Sequence, residues 1–306
     1  MTSYDEFGLF HENIEEFALD AVVPTVVRLD TDVSAAGEEP RTVSALRWGE
    51  TSPEFVLIHG GAQNAHTWDT VALALGRSLL AIDLPGHGHS AWRSDGAYSP
   101  QNLADDVAEV IATHAPEARV IVGMSLGGLT SMQLAVRHPA LVRSLVMVDI
   151  TPGVNAAKTK AITDFVDGPQ EFASFDDLLA RTKEHNPTRS ESSLRRGILH
   201  NAHQLPDGSW QWRYDRGSRA RAADTADAAD TAVEALGPVP DLWDDFAAIA
   251  CPLMVVRGSL SPVVDDDDIA EARRRQPNVD VRVVDGAGHS VQGDRPVELA
   301  AILSEL

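Results

Sequence analysis

Arg119-Val120-Ile121-Val122-Gly123-Met124-Ser125-Leu126-Gly127-Gly128-Leu129 is the stretch that decides the fold. A β-branched apolar run enters Gly-x-Ser-x-Gly, and apolar residues then recur at helical spacing from Leu129 to Val136. The chain then turns at His138-Pro139, where a helix must stop. Strand, tight turn and helix form the setting in which a serine is presented at the C-terminal edge of a sheet. Only small residues fit two before and two after that serine, and Gly123 and Gly127 meet the demand. The Ser125 hydroxyl then lies near a helix N-terminus. The pentapeptide alone is short enough to be a plain serine-glycine turn. Its setting is what gives it weight.

Outward from this turn, strand-like and helix-like segments alternate, which predicts an α/β architecture with a mostly parallel sheet. Upstream, Pro24–Val33 and Arg41–Trp48 have no helix between them and predict an antiparallel start. Phe55–Ile58 runs into His59-Gly60-Gly61, a helix is expected near Trp68–Leu75, and Ser78–Ile82 breaks at Asp83-Leu84-Pro85-Gly86. Pro100 opens a helix carrying Leu103, Val107, Val110 and Ile111. Downstream, Leu145–Ile150 reads as a buried strand. From residue 153 to 242 the rhythm lapses into polar, helical and loop-rich sequence, including the low-complexity stretch Ala220–Ala232. It resumes with a helix near Trp243–Ile249, strand Pro252–Arg257, helix Asp266–Arg275, strand Val279–Val284 and terminal helix Pro296–Leu306. Residues 1–152 and 243–306 are therefore expected to form one core, and 153–242 a helical cap inserted into it.

The bulk numbers bound the function classes. A chain of 306 residues, 43% hydrophobic, can fill one large core and carry an insertion. The net charge of −21, from 46 acidic against 25 basic residues, disfavours nucleic acid and anionic membranes as partners. It implies an anionic substrate only if the pocket itself carries an arginine. No apolar run approaches the length of a membrane span. Met1–Phe10 has no basic leader region, and the single Cys251 cannot form an intrachain disulfide, so a cytoplasmic protein is the expectation. No Cys/His cluster, dinucleotide fingerprint or Walker motif is present, so neither a metal nor an organic cofactor is expected.

The chain resembles the α/β-hydrolase superfamily over nearly its whole length. The matching pieces are His59-Gly60-Gly61, Asp83-x-Pro85-Gly86-His87-Gly88-x-Ser90, the Gly123–Gly128 elbow and Gly288-His289, in the family's order. The resemblance implies an eight-stranded, mostly parallel sheet flanked by helices. A serine hydroxyl needs an adjacent base, and His289, in a loop of small residues after the last strand, is the candidate. An oxyanion needs fixed donors. The N–H of Leu126 is one by position, and the resemblance points to Gly61 for the other. It also implies that His59, His87 and His89 brace loops. His66, beside the oxyanion loop, is a candidate substrate contact.

In most of the superfamily the triad acid is an Asp after the penultimate strand, where this chain has Ser261. Three alternatives stand: Asp149 at the end of strand Leu145–Ile150, the run Asp265–Asp268, or no acid. The run reads better as a helix start, where carboxylates favour the dipole. Asp149 is preferred. The segment Asp149-Ile150-x-Pro152, a serine-proline turn at Ser261-Pro262 and Trp212-Arg213 in the cap are similar to YbfF-type small esterases, which implies an acid after strand six.

The expected function is hydrolysis of a carboxylic ester, thioester or lactone through an acyl-enzyme, with Ser125, His289 and Asp149 as triad and a small-molecule substrate. Self-association into a homo-oligomer stays open. Two alternatives stand beside it: cleavage of a carbon–carbon bond by the same residues, and a non-catalytic ligand-binding protein on this fold, to which Ser261 gives some footing. Pockets favour junctions between layers, so Ile198, Leu199, Trp210 and Trp212 are candidates for substrate contact or cap core.

Overall fold

The computed structural model describes residues 4–34, 40–216 and 242–306. In chain order the core opens with helix α1 (Phe10–Glu16) and strands β1 (Val26–Val33), β2 (Arg41–Trp48) and β3 (Phe55–Ile58). A 3-10 turn over Ala65–Trp68 leads into α2 (Asp69–Leu75), followed by β4 (Leu79–Ile82), α3 (Pro100–His114), β5 (Val120–Met124), α4 (Leu126–Arg137) and β6 (Leu145–Val148). The insertion holds α5 (Ala156–Val166), β7 (Glu171–Phe172), α6 (Phe175–His185), α7 (Glu191–Asn201), β8 (Ala202–Gln204) and β9 (Trp210–Trp212). The core resumes with α8 (Leu242–Ala247), β10 (Leu253–Gly258), α9 (Asp266–Arg275), β11 (Asp280–Val284), α10 (Val291–Asp294) and α11 (Pro296–Ser304).

Eight strands form one sheet in the order β1-β2-β4-β3-β5-β6-β10-β11. β2 is antiparallel to both neighbours, and the rest pair in parallel. The expected antiparallel start and parallel body are thus both present. Strands β3 to β6 are buried on both faces, which is why they read as unbroken apolar runs rather than as alternation. Val56, Ile58, Leu80 and Ile82 face α3, α4, α8 and α9, whereas Phe55, Leu57, Leu79 and Ala81 face α1, α2 and α11. Parallel pairing brings the loops after β3, β5, β6, β10 and β11 to one edge of the sheet, where such folds bind ligands.

The insertion differs from the purely helical expectation. Its three short strands form a separate antiparallel sheet, β7-β9-β8, too short to show as a period-two pattern. Around them, Phe172, Leu178, Ile198, Ala202, Trp212 and Tyr214 make a small core of their own. The Ala220–Ala232 stretch lies outside the described residues. No helix among the described residues is long and apolar enough to cross a membrane.

Candidate active site

The elbow forms because two backbones must meet. A Cβ on Gly127 would stand 2.3 Å from the Ile58 carbonyl oxygen, so only glycine lets α4 start against β3. Ser125 adopts φ +51° and ψ −118°, a strained geometry for a residue with a side chain. Its N–H donates to Val148 O at 3.1 Å, which fastens the turn to β6. Gly61 and Leu126 are neighbours across the site: a Cβ on Gly61 would lie 3.9 Å from Leu126 Cδ2.

One strand over, Asp149 also takes a positive φ, +52°, with its N–H donating to Val256 O at 2.7 Å. Its side chain is fully buried and receives three hydrogen bonds. The Gly258 N–H donates to Oδ1 at 2.9 Å, His289 Nδ1 donates to Oδ2 at 2.7 Å, and Ser261 Oγ also donates to Oδ2. A carboxylate on Nδ1 selects the tautomer in which Nε2 can accept a proton. Ser261, at the position where the family pattern carries an acid, thus points its hydroxyl at the acid of the neighbouring strand. From sequence, Ser261 reads as a departure from the family's acid and as part of the serine-proline turn of YbfF-type esterases, not as a donor to Asp149. The run Asp265–Asp268 instead builds a capping box at the start of α9, with Lys158 paired to Asp265 at 2.8 Å and Asp268 at 2.6 Å.

Ser125, His289, Gly61 and Leu126 line one cavity of about 620 Å³ between the sheet edge and the cap. Ile198 and Trp212 line it too, whereas Leu199 and Trp210 do not; Trp210 packs edge-on against Phe175 with centroids 5.1 Å apart. Asn201, at the end of α7, donates to Ala62 O at 2.7 Å and accepts from Asn64 Nδ2 at 3.2 Å. The cap thereby holds the oxyanion loop, a contact no local sequence signal announces.

Three histidines act as braces or latches. His59 is fully buried; its Nδ1 donates to Gly60 O at 2.7 Å and its Nε2 accepts from Leu84 N at 2.9 Å. Burial, with His87 adding, drives its pKa down to about 3, so the ring stays neutral. His87 likewise donates to Pro85 O at 3.1 Å. His66 behaves in the opposite way. Burial alone would push it down, but Asp69 at 2.9 Å and Glu6 at 3.1 Å outweigh it and raise its pKa to about 9.

His66, Asp69 and His200 are the one group among the described residues whose side-chain donors come close enough to suggest a metal site, within 4.8 Å. The two rings stack, with centroids 3.8 Å apart and planes 8° from parallel. An ion between parallel rings would stand out of both planes, away from the nitrogen lone pairs. As arranged, the cluster suits a shared proton better than a cation. His66 carries the charge, and burial, with His66 adding, holds His200 well below its usual value.

Comparison with known proteins bears on the fold and the family. A family model described as alpha/beta hydrolase fold matches residues 53–296. Esterase Rv0045c of Mycobacterium tuberculosis is 42% identical over 99% of this chain and 96% of its own. A solved structure of that esterase, described together with its transition metal inhibition, superposes with a TM-score of 0.83 over 99% of both chains. The structure of E-2-(acetamidomethylene)succinate hydrolase, 25% identical, gives a TM-score of 0.78 over 92% of this chain and 98% of that one. With the elbow, the strand order and the family match in agreement, the chain belongs to the α/β-hydrolase fold family.

Proposed function

We propose that this protein is a serine esterase that cleaves a small carboxylic ester through an acyl-enzyme. The observation that carries the reading is the buried Asp149–His289 hydrogen bond beside the strained Ser125 elbow. Ser125 attacks the ester carbonyl while His289 Nε2 takes the hydroxyl proton and passes it to the departing alcohol. The N–H groups of Leu126 and Gly61 receive the oxyanion. Water then repeats the sequence in reverse on the acyl-enzyme and releases the acid. Asp149 holds the imidazole in its working tautomer and balances the imidazolium formed in each step. The insertion, over its described residues 153–216, acts as the cap that closes the cavity, with Ile198 and Trp212 as its apolar wall. The similarity to an esterase over the full chain supports the same reading. Residence in the cytoplasm belongs to it too and rests on the lone Cys251.

Ser125→Ala removes the nucleophile with little change of volume. Hydrolysis of p-nitrophenyl acetate and labelling by a fluorophosphonate probe should both disappear, with the circular dichroism spectrum unchanged. Wild-type rates from that variant would refute the assignment.

A further inference from the structure

The loop between α6 and α7 brings Thr188 and Arg189 to the cavity wall. Arg189 is a cation without a carboxylate of its own. A guanidinium carries several N–H donors and keeps its charge in proteins. Here Nη2 donates to Ser193 Oγ at 2.7 Å, while Nε is buried and has no partner. No acidic side chain forms an ion pair with it among the described residues. Asp294 and Glu16 supply the favourable field, and Arg196 opposes it. Yet Asp294 is already engaged: its Oδ1 accepts from Thr188 Oγ1 at 3.0 Å and its Oδ2 from the Gly288 N–H at 2.8 Å. Glu16 is taken by Arg196 and Ser190. The Arg189 guanidinium lies against the backbone of Gly293, where a Cβ would come within 3.0 Å of Cζ and Nε. Gly293 follows His289 by four positions, so the guanidinium borders the loop that carries the base.

A half-buried cation with no ion-pair partner is costly to hold, and its spare donors need an acceptor. The cavity is the side from which one can arrive. We propose that Arg189 anchors an anionic group of the substrate: the ester taken by this cavity carries a carboxylate a few bonds from the scissile carbonyl. This deepens the esterase reading and rests on it. The carboxylate completes the hydrogen bonds of the guanidinium and fixes which end of the ester faces Ser125. A chain of net charge −21 repels such a substrate at long range, so a local cation is what would admit it.

The test compares esters that differ only in that charge. On the acyl side, monomethyl glutarate and monomethyl adipate are set against methyl esters of neutral chains of equal length. On the alcohol side, 4-acetoxybutanoate is set against butyl acetate. In the wild-type protein one carboxylate-bearing arm should exceed its neutral counterpart in kcat/KM by about 10–100-fold, the range of a hydrogen bond to a charged group. Arg189→Gln should erase that ratio, mainly through KM, and Arg189→Lys should keep part of it. A wild-type ratio near one in both arms overturns the proposal while the esterase reading stands, and needs no variant to fold. Equal losses on charged and neutral esters in Arg189→Gln also overturn it, because the arginine would then serve only the cap. If no ester is cleaved and Ser125 takes no fluorophosphonate, the esterase reading itself falls.

Discussion

In the proposed triad, two side chains from different strands share the work of the acid. Asp149 carries the charge, and Ser261 holds one of its oxygens from the position where the family pattern has an acid. The division predicts unequal losses. Asp149→Asn should lower kcat by about 10³–10⁴-fold, because the amide no longer selects the tautomer or balances the imidazolium. Ser261→Ala removes one donor of three and leaves the Gly258 N–H and the His289 contact in place. Its loss should stay at about 10–100-fold, the range of one hydrogen bond to a charged group, and short of that of Asp149→Asn. Steady-state rates of the two variants on one ester decide the matter. A Ser261→Ala loss as deep as that of Asp149→Asn would mean that the hydroxyl, not the carboxylate, governs the ring. At this scale the sequence was legible wherever the constraint was local. Gly127 betrays the elbow, and Asp265 to Asp268 betray a helix start. The bond from Ser261 to Asp149 spans 112 positions and leaves no local trace.

Among elements, α1 is one that the sequence reading passed over. Seven residues are too few for an apolar stripe to declare itself. Its meaning also lies far along the chain. Asn13 accepts from Arg196 Nε at 3.1 Å, 183 positions away, and Glu12 and Glu16 pair with Arg195 and Arg196 of α7. Phe10 meanwhile packs on Trp48 in the core, with ring centroids 4.8 Å apart. The helix is thus a strap between core and cap, and α7 is the element that also steadies the oxyanion loop through Asn201. Glu16→Ala leaves the buried Arg196 short of a partner. It should cost about 1–3 kcal/mol, seen as a thermal midpoint lowered by a few degrees. KM should rise at the same time as the cap loosens. An unchanged midpoint would show that the strap does not hold the cap. The small sheet β7-β9-β8 escaped for the reason that hid α1: strands of two or three residues are too short for periodicity to show.

At the scale of the molecule, the legible part was the alternation of strand and helix, because a doubly covered parallel sheet forces apolar runs into every central strand. How the cap meets the core was not legible, since charged side chains placed far apart in the chain decide it. Within the core, the ion pairs of His66 with Asp69 and Glu6 tie stability to pH. His66 rises from 6.5 to about 9 on folding, so its contribution is complete below pH 6.5 and is lost as pH climbs through 9. Glu6 is pulled up by burial but brought down to about 2 by His66 and Arg28. Its contribution is present above its usual 4.5 and is lost only in strong acid. The thermal midpoint should therefore fall between pH 6.5 and 9, and His66→Asn should flatten that fall. A wild-type midpoint level across this interval would refute the latch. The sheet order has a further consequence. In the proposed site, nucleophile, acid and oxyanion donors all stand within the first 152 residues, and the last two strands bring His289 together with the Ser261 and Gly258 donors that hold the acid. Were the polypeptide supplied as two fragments divided after the cap, each would be chemically mute, one lacking its base and the other its nucleophile, acid and oxyanion donors. Ester cleavage would then report on their reunion, a complementation assay already laid out in the topology.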